Sequence, residues 1–323
     1  MSEKTLRYLE AIAQTGSISG ASRRLFIAPP SLSQFVKRLE EDNGIVLFDR
    51  SSAPWRLTSE GRYFLECEKR MEAIRRERRQ YIEDLRGGLS GELRIGSTQY
   101  RSETLLSRIL PVFAERYPGI RVRITELTTQ GLVSAAASGE VDCAFVISRM
   151  MTRELAGVEV FKENVLLALP MKAAAAACAE KSPSRRPPFP RFRFSDAAEL
   201  PFIIMKSGQV FREYFESLCE RYDVKPPVAL ETQSILTVPA LVSAGLGAAL
   251  VPDTMCPRLV HEKVALFSLG EDLPINALSL VRKRDKYVSR ACQLFFETAY
   301  EVLRGQGSSP SGNLKAREEN KFL

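Results

Sequence analysis

Residues 6–61 read LRYLEAIAQTGSISGASRRLFIAPPSLSQFVKRLEEDNGIVLFDRSSAPWRLTSEG, and this stretch decides the N-terminal fold. Leu6, Leu9 and Ala13 mark one face of a first helix that stops at Gly16. Ser17 is placed to cap a second helix, Ile18 to Leu25, whose small Gly20 and Ala21 permit a close helix crossing. Phe26 to Pro29 form a short turn, and Pro30 takes the first position of a third helix, where a missing N–H costs nothing. On that helix Leu32, Val36 and Leu39 form the inward row, while Ser31, Ser33, Gln34, Lys37 and Arg38 project from the other faces. An amphipathic helix that follows a tight turn and shows hydroxyls, an amide and cations outward suits major-groove reading. Val46-Leu47-Phe48 and Trp55-Arg56-Leu57, around Ser51-Ser52-Ala53-Pro54, read as a wing hairpin, with Arg50 and Arg56 available for phosphates.

A charged helical stretch follows from Thr58 to Arg86 and is broken by Gly87-Gly88. Phe64, Cys67, Met71, Ile74, Tyr81 and Leu85 recur on a 3-4 spacing, with Arg78 as the one polar seam position. Three such heptads suit a coiled-coil dimer. The alternative is a helix packed onto its own domain. The flanking Arg75, Arg76, Glu77 and Arg79 are read as a solvated face. From Gly91 onward, short runs such as Leu93-Arg94-Ile95, Val122-Arg123-Ile124, Ala144 to Ile147 and Val165 to Leu169 alternate with helical patterns. That alternation predicts an α/β architecture with largely parallel sheets.

The 323 residues suggest two or three domains, and 45% hydrophobic with 26% charged residues is ordinary for a globular protein. No run of 18 apolar residues exists, so no spanning helix is expected, and the acidic N-terminus does not read as a secretory signal. A cytoplasmic location without membrane partners is therefore expected. The six cysteines lie 35 or more residues apart, and His261 is the one histidine. That spacing points to no metal site, no cofactor and no Ser-His-Asp hydrolase, so the chain is not read as an enzyme. The cysteines read as small buried hydrophobes. The net charge of +7 does not mark the nucleic-acid face. Residues 1–60 hold eight basic and seven acidic groups, whereas residues 172–194 hold six basic groups against Glu180. The proline-rich KSPSRRPPFPRFRF in that second stretch is read as an inserted solvated loop, with a second DNA-contacting surface as the alternative.

Residues 6–61 resemble the winged helix-turn-helix of the LysR-type transcriptional regulators almost position for position. Gly16-Ser17, Ala21, Leu25, Pro30, Ser33, Leu39-Glu40, Gly44, Leu47-Phe48, Arg50, Leu57-Thr58 and Gly61 carry the likeness. Two positions depart from the family pattern. Pro29 stands where a glutamine is usual, so the operator is expected to differ, and Phe35 replaces a polar residue. Phe35 either touches a thymine methyl or packs inside. GELRIGST, LLSRILPVFAERYPGIRVRITE, SGEVDCAFVI and ALVSAGLGAALVP resemble the family's effector-binding region.

The resemblance implies an α/β fold class: an N-terminal all-α winged helix-turn-helix and a two-lobed, periplasmic-binding-protein-like effector domain. Its segments would be residues 1–58 for DNA, 59–88 for a dimerising linker helix, 89–304 for the effector domain and 305–323 as a disordered tail. Lobe one would take about 89–161 and 268–304, and lobe two about 162–267, with crossovers near Phe161–Pro170 and Val264–Gly270. DNA contacts would come from Ser17, Ser31, Ser33, Gln34, Lys37, Arg38, Arg50 and Arg56. Dimerisation would use Phe64, Met71, Ile74, Tyr81 and Leu85.

A ligand between the lobes should meet strand ends and helix starts. Four segments fit: Ser97-Thr98-Gln99, Thr128-Thr129-Gln130, Ser207-Gly208-Gln209 and, around Gln233, Thr232 to Ser234. Each is equally readable as an ordinary helix cap. The expected partners are double-stranded DNA, the chain itself as a dimer or tetramer, a small-molecule effector and RNA polymerase. The competing class is a solute-binding or enzymatic α/β protein with an incidental helical extension. It needs an export signal or a catalytic constellation, and neither is found.

Overall fold

Apolar residues at helical spacing in the first 57 positions fold into three helices and a short wing. In the computed structural model these are α1 (Glu3–Thr15), α2 (Ile18–Leu25), α3 (Pro29–Asn43), β1 (Phe48–Asp49) and β2 (Arg56–Leu57). The structure describes residues 3–51, 53–87, 89–177, 189–259, 262–270 and 276–304. The expected tail, His261, Cys178 and most of the proline-rich insertion lie outside them.

Tyr8, Leu9 and Ile12 of α1 meet Ala21 of α2 and Leu32, Val36 and Leu39 of α3 in one buried cluster, while Ala13 is only half-buried at its edge. The third helix begins one residue earlier than expected: Pro29 and Pro30 fill its first two positions, and Ala28 precedes them without a capping side chain. Both prolines are tolerated because the N–H groups they lack are unpaired in a first turn. Phe35 packs inside, edge-on to Tyr8 at 5.0 Å. The wing is locked from both sides. Gly16, at φ +64°, accepts the Trp55 N–H (2.8 Å), and Gly61 passes so close to Leu47 that a Cβ would stand 2.0 Å from its carbonyl oxygen.

Thr58 caps the long α4 (Ser59–Leu85), its Oγ1 accepting from the Gly61 N–H at 2.9 Å. Beyond it come β3 (Gly91–Ser97), α5 (Gln99–Arg101), which runs on through a π turn (Ser102–Leu106) into α6 (Ser107–Arg116), then β4 (Ile120–Glu126), α7 (Thr129–Ser138), β5 (Cys143–Ile147) and β6 (Leu155–Glu163). The chain then builds β7 (Val165–Pro170), α8 (Met171–Ala177), β8 (Phe202–Met205), α9 (Val210–Tyr222), β9 (Val228–Thr232), α10 (Val238–Ser243), β10 (Ala249–Pro252) and β11 (Val264–Ser268). It ends in β12 (Asn276–Lys283) and α11 (Arg290–Arg304).

Lobe one is a five-stranded sheet in the order β4-β3-β5-β12-β6. Lobe two joins the parallel β8–β9 pair to β10-β7-β11 through a bridge between Phe202 and Ala248. The sheets are mixed rather than largely parallel. The chain leaves lobe one along β6–β7 and returns along β11–β12, so β6 and β12 pair antiparallel in one lobe, as do β7 and β11 in the other. The first crossing falls at Asn164, because β6 stays hydrogen-bonded to β12 through Glu163. The return runs from β11, which ends at Ser268, to β12, which begins at Asn276. Pro190 and Phe192, at the end of the proline-rich insertion, hydrogen-bond to Ser268 at 2.9 Å each and extend the lobe-two sheet.

The linker helix departs most from expectation. Arg76 and Glu77 do not form a solvated face. Glu68, Glu72, Ala73, Arg76 and Gln80 are buried, with Ala73 beside Gly139, Arg76 on Asp142 and Gln80 on the Glu92 carbonyl of lobe one. Asp142 receives Lys286 at 2.7 Å and Arg76 at 3.7 Å, and its second oxygen accepts the Arg94 N–H at 2.9 Å. Burial pushes the Asp142 carboxyl up, but Lys286, Arg76 and the Arg94 amide outweigh it and hold the group below its usual range. Glu77 accepts the Tyr287 N–H at 3.0 Å, and Asp84 accepts both the Tyr287 hydroxyl and the Arg290 N–H at 2.9 Å. Lys69 reaches Glu10 of α1 (3.4 Å) and Glu140 of lobe one (3.3 Å), tying three parts of the chain together. The helix thus docks on its own effector domain through charges, leaving Met71 (36% exposed), Ile74 (66%) and Leu85 (70%) open to solvent. Phe64 turns into the helix-turn-helix core, and Tyr81 stands edge-on to Tyr287 at 5.1 Å.

Candidate DNA interface and effector cleft

Burial of Leu32, Val36 and Leu39 fixes the rotation of α3, so Ser31, Ser33, Gln34, Lys37 and Arg38 all face solvent on one surface. Lys37 pairs with Glu41 at 3.6 Å, both well exposed, an ion pair that water screens and DNA can replace. The Ser17 hydroxyl is occupied as a cap, accepting the Gly20 N–H at 3.0 Å. The two wing arginines differ. Arg50 pairs with Glu40, whose other oxygen accepts the Leu47 N–H at 2.8 Å, and its guanidinium lies 5.2 Å from the Trp55 ring. Arg56 is exposed on β2. Arg50→Ala should therefore loosen the wing and lower stability. Arg56→Ala should mainly flatten the salt dependence of DNA binding, by about 0.9 in log K against log salt for each phosphate that is no longer neutralised. Thermal melts and binding titrations across salt separate the two outcomes.

Between the lobes lies a cavity of about 480 Å³. Its polar wall includes Thr98 and Gln99 after β3, Thr128 and Thr129 after β4, Gln209 before α9 and Gln233 after β9. Its apolar wall includes Phe145, Ile147, Phe211, Ile235, Leu236 and Leu278. Of the residues singled out in the sequence, Ser97 is buried beneath this wall, while Gln130, Ser207 and Gly208 stand exposed outside the cavity. Thr98 and Thr128 act as caps, each accepting at 3.2 Å, from the Arg101 and Gly131 N–H groups. Gln209 donates to the Gln233 carbonyl at 3.0 Å, joining two parts of the lobe-two wall.

Sequence reasoning missed the floor of the cleft. Tyr100 and Arg101 continue the Ser97-Thr98-Gln99 segment by one turn, and that adjacency was the available signal. Tyr100 belongs to lobe one yet packs in a lobe-two cluster with Leu166, Ile203 and Met255. Its hydroxyl meets that of Thr254, which in turn donates to Glu163 at 2.9 Å. Arg101, fully buried, forms a two-pronged pair with Glu163, with Nη1 to Oε2 at 2.8 Å. Burial, then the Glu163 charge, push the Tyr100 hydroxyl above its ordinary range, so it stays neutral. Asn164, at the crossing itself, donates to Asp253 through Nδ2 at 2.9 Å. Away from the crossing, Arg149 of lobe one pairs with Glu213 of lobe two at 2.7 Å. Polar groups thus join the lobes at the crossing and at a second point.

The helix-turn-helix and the two-lobed domain match two family models: "Bacterial regulatory helix-turn-helix protein, lysR family" over residues 4–62, and "LysR substrate binding domain" over residues 86–304. The chain belongs to the LysR family. This LysR-type regulator is 30% identical over 330 residues to the uncharacterized HTH-type transcriptional regulator YcgK of Bacillus subtilis (strain 168), covering 99% of this chain and 100% of the relative. It is 28% identical over 304 residues to a probable RuBisCO transcriptional regulator of Trieres chinensis, covering 92% of this chain and 96% of the relative. A crystal structure of full-length CbnR complexed with its target DNA has the same fold, with a TM-score of 0.63 at 20% identity over 94% of this chain and 100% of that chain. The family's members are transcriptional regulators, not enzymes, and this one carries a DNA-binding domain and an effector-binding domain. Among the described residues, no helix is long and apolar enough to cross a membrane.

Proposed function

We propose that this LysR-type regulator binds its operator as a homo-oligomer, and that a small molecule held in the interlobe cavity shifts the arrangement of the oligomer on DNA. The carrying observation is that cavity of about 480 Å³ in a chain whose N-terminal domain presents an unobstructed recognition helix. Helix α4 supplies the dimer contact through Met71, Ile74 and Leu85, which the single chain leaves uncovered. Two paired α4 helices place two recognition helices on successive major grooves, and a tetramer would bend the DNA between two such pairs. The protein acts in the cytoplasm, and RNA polymerase is the partner through which transcription responds. Residues 1–58, 59–88 and 89–304 divide these tasks, with Gln34, Lys37 and Arg38 contacting bases or phosphates.

The test is a gel shift on DNA upstream of its own gene, followed by thermal-shift screening of the full chain against metabolites. A specific complex that one metabolite strengthens or weakens supports the reading, and unspecific binding alone overturns it. Once an effector is identified, Thr129→Val should weaken it by about 0.5–1.5 kcal/mol, the net worth of one hydrogen bond. Thr129 is the informative threonine, because its hydroxyl does not serve as the cap of α7; Thr128 does. Wild-type affinity of the variant by calorimetry would place the polar contacts elsewhere on the wall.

A further inference from the structure

Phe26 ends α2 in a conformation that phenylalanine rarely adopts, at φ 56° and ψ 45°. Its N–H bonds back to the Arg23 carbonyl, and the Ile27 N–H bonds to the Ser22 carbonyl at 3.1 Å. This pair of bonds is the helix stop whose left-handed position glycine usually fills, because a side chain there crowds the backbone. The same residue is 95% exposed, while its neighbour Ile27 packs against the core and accounts for the apolar requirement of the motif. The ring therefore gains almost nothing from its own domain and strains the backbone that carries it. A glycine would serve the fold better. The compensating contact has to come from outside the chain.

What surrounds the ring says what that contact is. Arg23 and Arg24 are exposed just before it, and the solvent-facing Ser31, Ser33 and Gln34 of α3 follow three residues after its turn. In a helix-turn-helix the recognition helix enters the major groove by its N-terminal residues, so the turn before it meets the groove wall. We infer that Phe26 is a positioning residue for operator binding: its ring packs on apolar atoms of the duplex beside the α3 contacts, those of a deoxyribose or a thymine methyl. Such packing sets how deep and at what angle α3 enters the groove. It neutralises no phosphate.

The test uses the full chain, Phe26→Gly and Phe26→Leu, and a fluorescent duplex that the wild-type protein selects from a random-sequence library. Phe26→Gly should melt at the wild-type temperature or above it, since the strain is relieved. Its affinity for the selected duplex should fall about tenfold, with the slope against log salt unchanged, because that slope counts phosphates only. Phe26→Leu should recover part of the loss. Wild-type affinity in Phe26→Gly would overturn the inference. A lower melting temperature would show that the ring supports the fold, and a changed sedimentation profile would show that it supports assembly; either result also overturns it.

Discussion

Replacing Asp142 by alanine is expected to cost about 3–5 kcal/mol of stability, read by chemical denaturation of the full chain. The carboxylate is the shared partner of Lys286 and Arg76, both buried with it, and removing it leaves two cations without compensation away from water. Arg76 also donates to the Gly139 carbonyl, but a neutral acceptor does not balance its charge. The same cluster predicts an acid-sensitive fold. Asp142 titrates below its usual range when folded, so its contribution is fully present above the unfolded carboxylate value of about 3.9. It is lost as pH falls through the lower folded value. Asp142→Asn should therefore be less stable than wild type at neutral pH and show a shallower decline below about pH 4. Melting curves from pH 7 down to pH 3 that run parallel in the two proteins would remove Asp142 as the origin of the acid response. Because Asp142 faces α4 on one side and β3 through Arg94 on the other, faster hydrogen exchange along α4 should accompany the destabilisation.

Ile74→Asp is expected to lower operator affinity by a factor of about 10²–10⁴, the range by which linking two modules exceeds binding by one. Ile74 is 66% exposed in the single chain, so the change does not disturb the core of the protomer. In a paired α4 it would bury a carboxylate in a seam that is apolar apart from Arg78. Sedimentation should show the smaller species, while the melting temperature of the separated chains stays near that of wild type. A variant that keeps both its assembly and its affinity would assign the dimer contact to another surface.

The two substitutions bear on opposite faces of α4, since Asp142 of lobe one meets its docked face and Ile74 lies on its open face, and the sequence described those faces unequally. Apolar periodicity is a local signal, and it placed α1 to α3, the wing, the span of α4 and the open positions Met71, Ile74 and Leu85 from residues only three or four apart. Resemblance in fixed-spacing motifs carried the fold class and the two-lobed domain. Strand-end segments located four of the cavity's edges, because a threonine or glutamine at a helix start is visible in a short window.

Charge periodicity says only that a face is polar, not what it meets. The docking of Arg76 required Asp142 and Lys286, far along the chain, and so it was decided by the packing of lobe one. Phe64 turned inward because the helix-turn-helix core was there to receive it. The cleft floor shows the same limit: Tyr100 meets Thr254 across 154 positions, and Arg101 meets Glu163 across 62. Neither pair leaves a pattern in the sequence. Each exists because β6 ends at the crossing with Glu163, and β10, antiparallel to β7 with Pro252 opposite Val165, brings Thr254 to the same place.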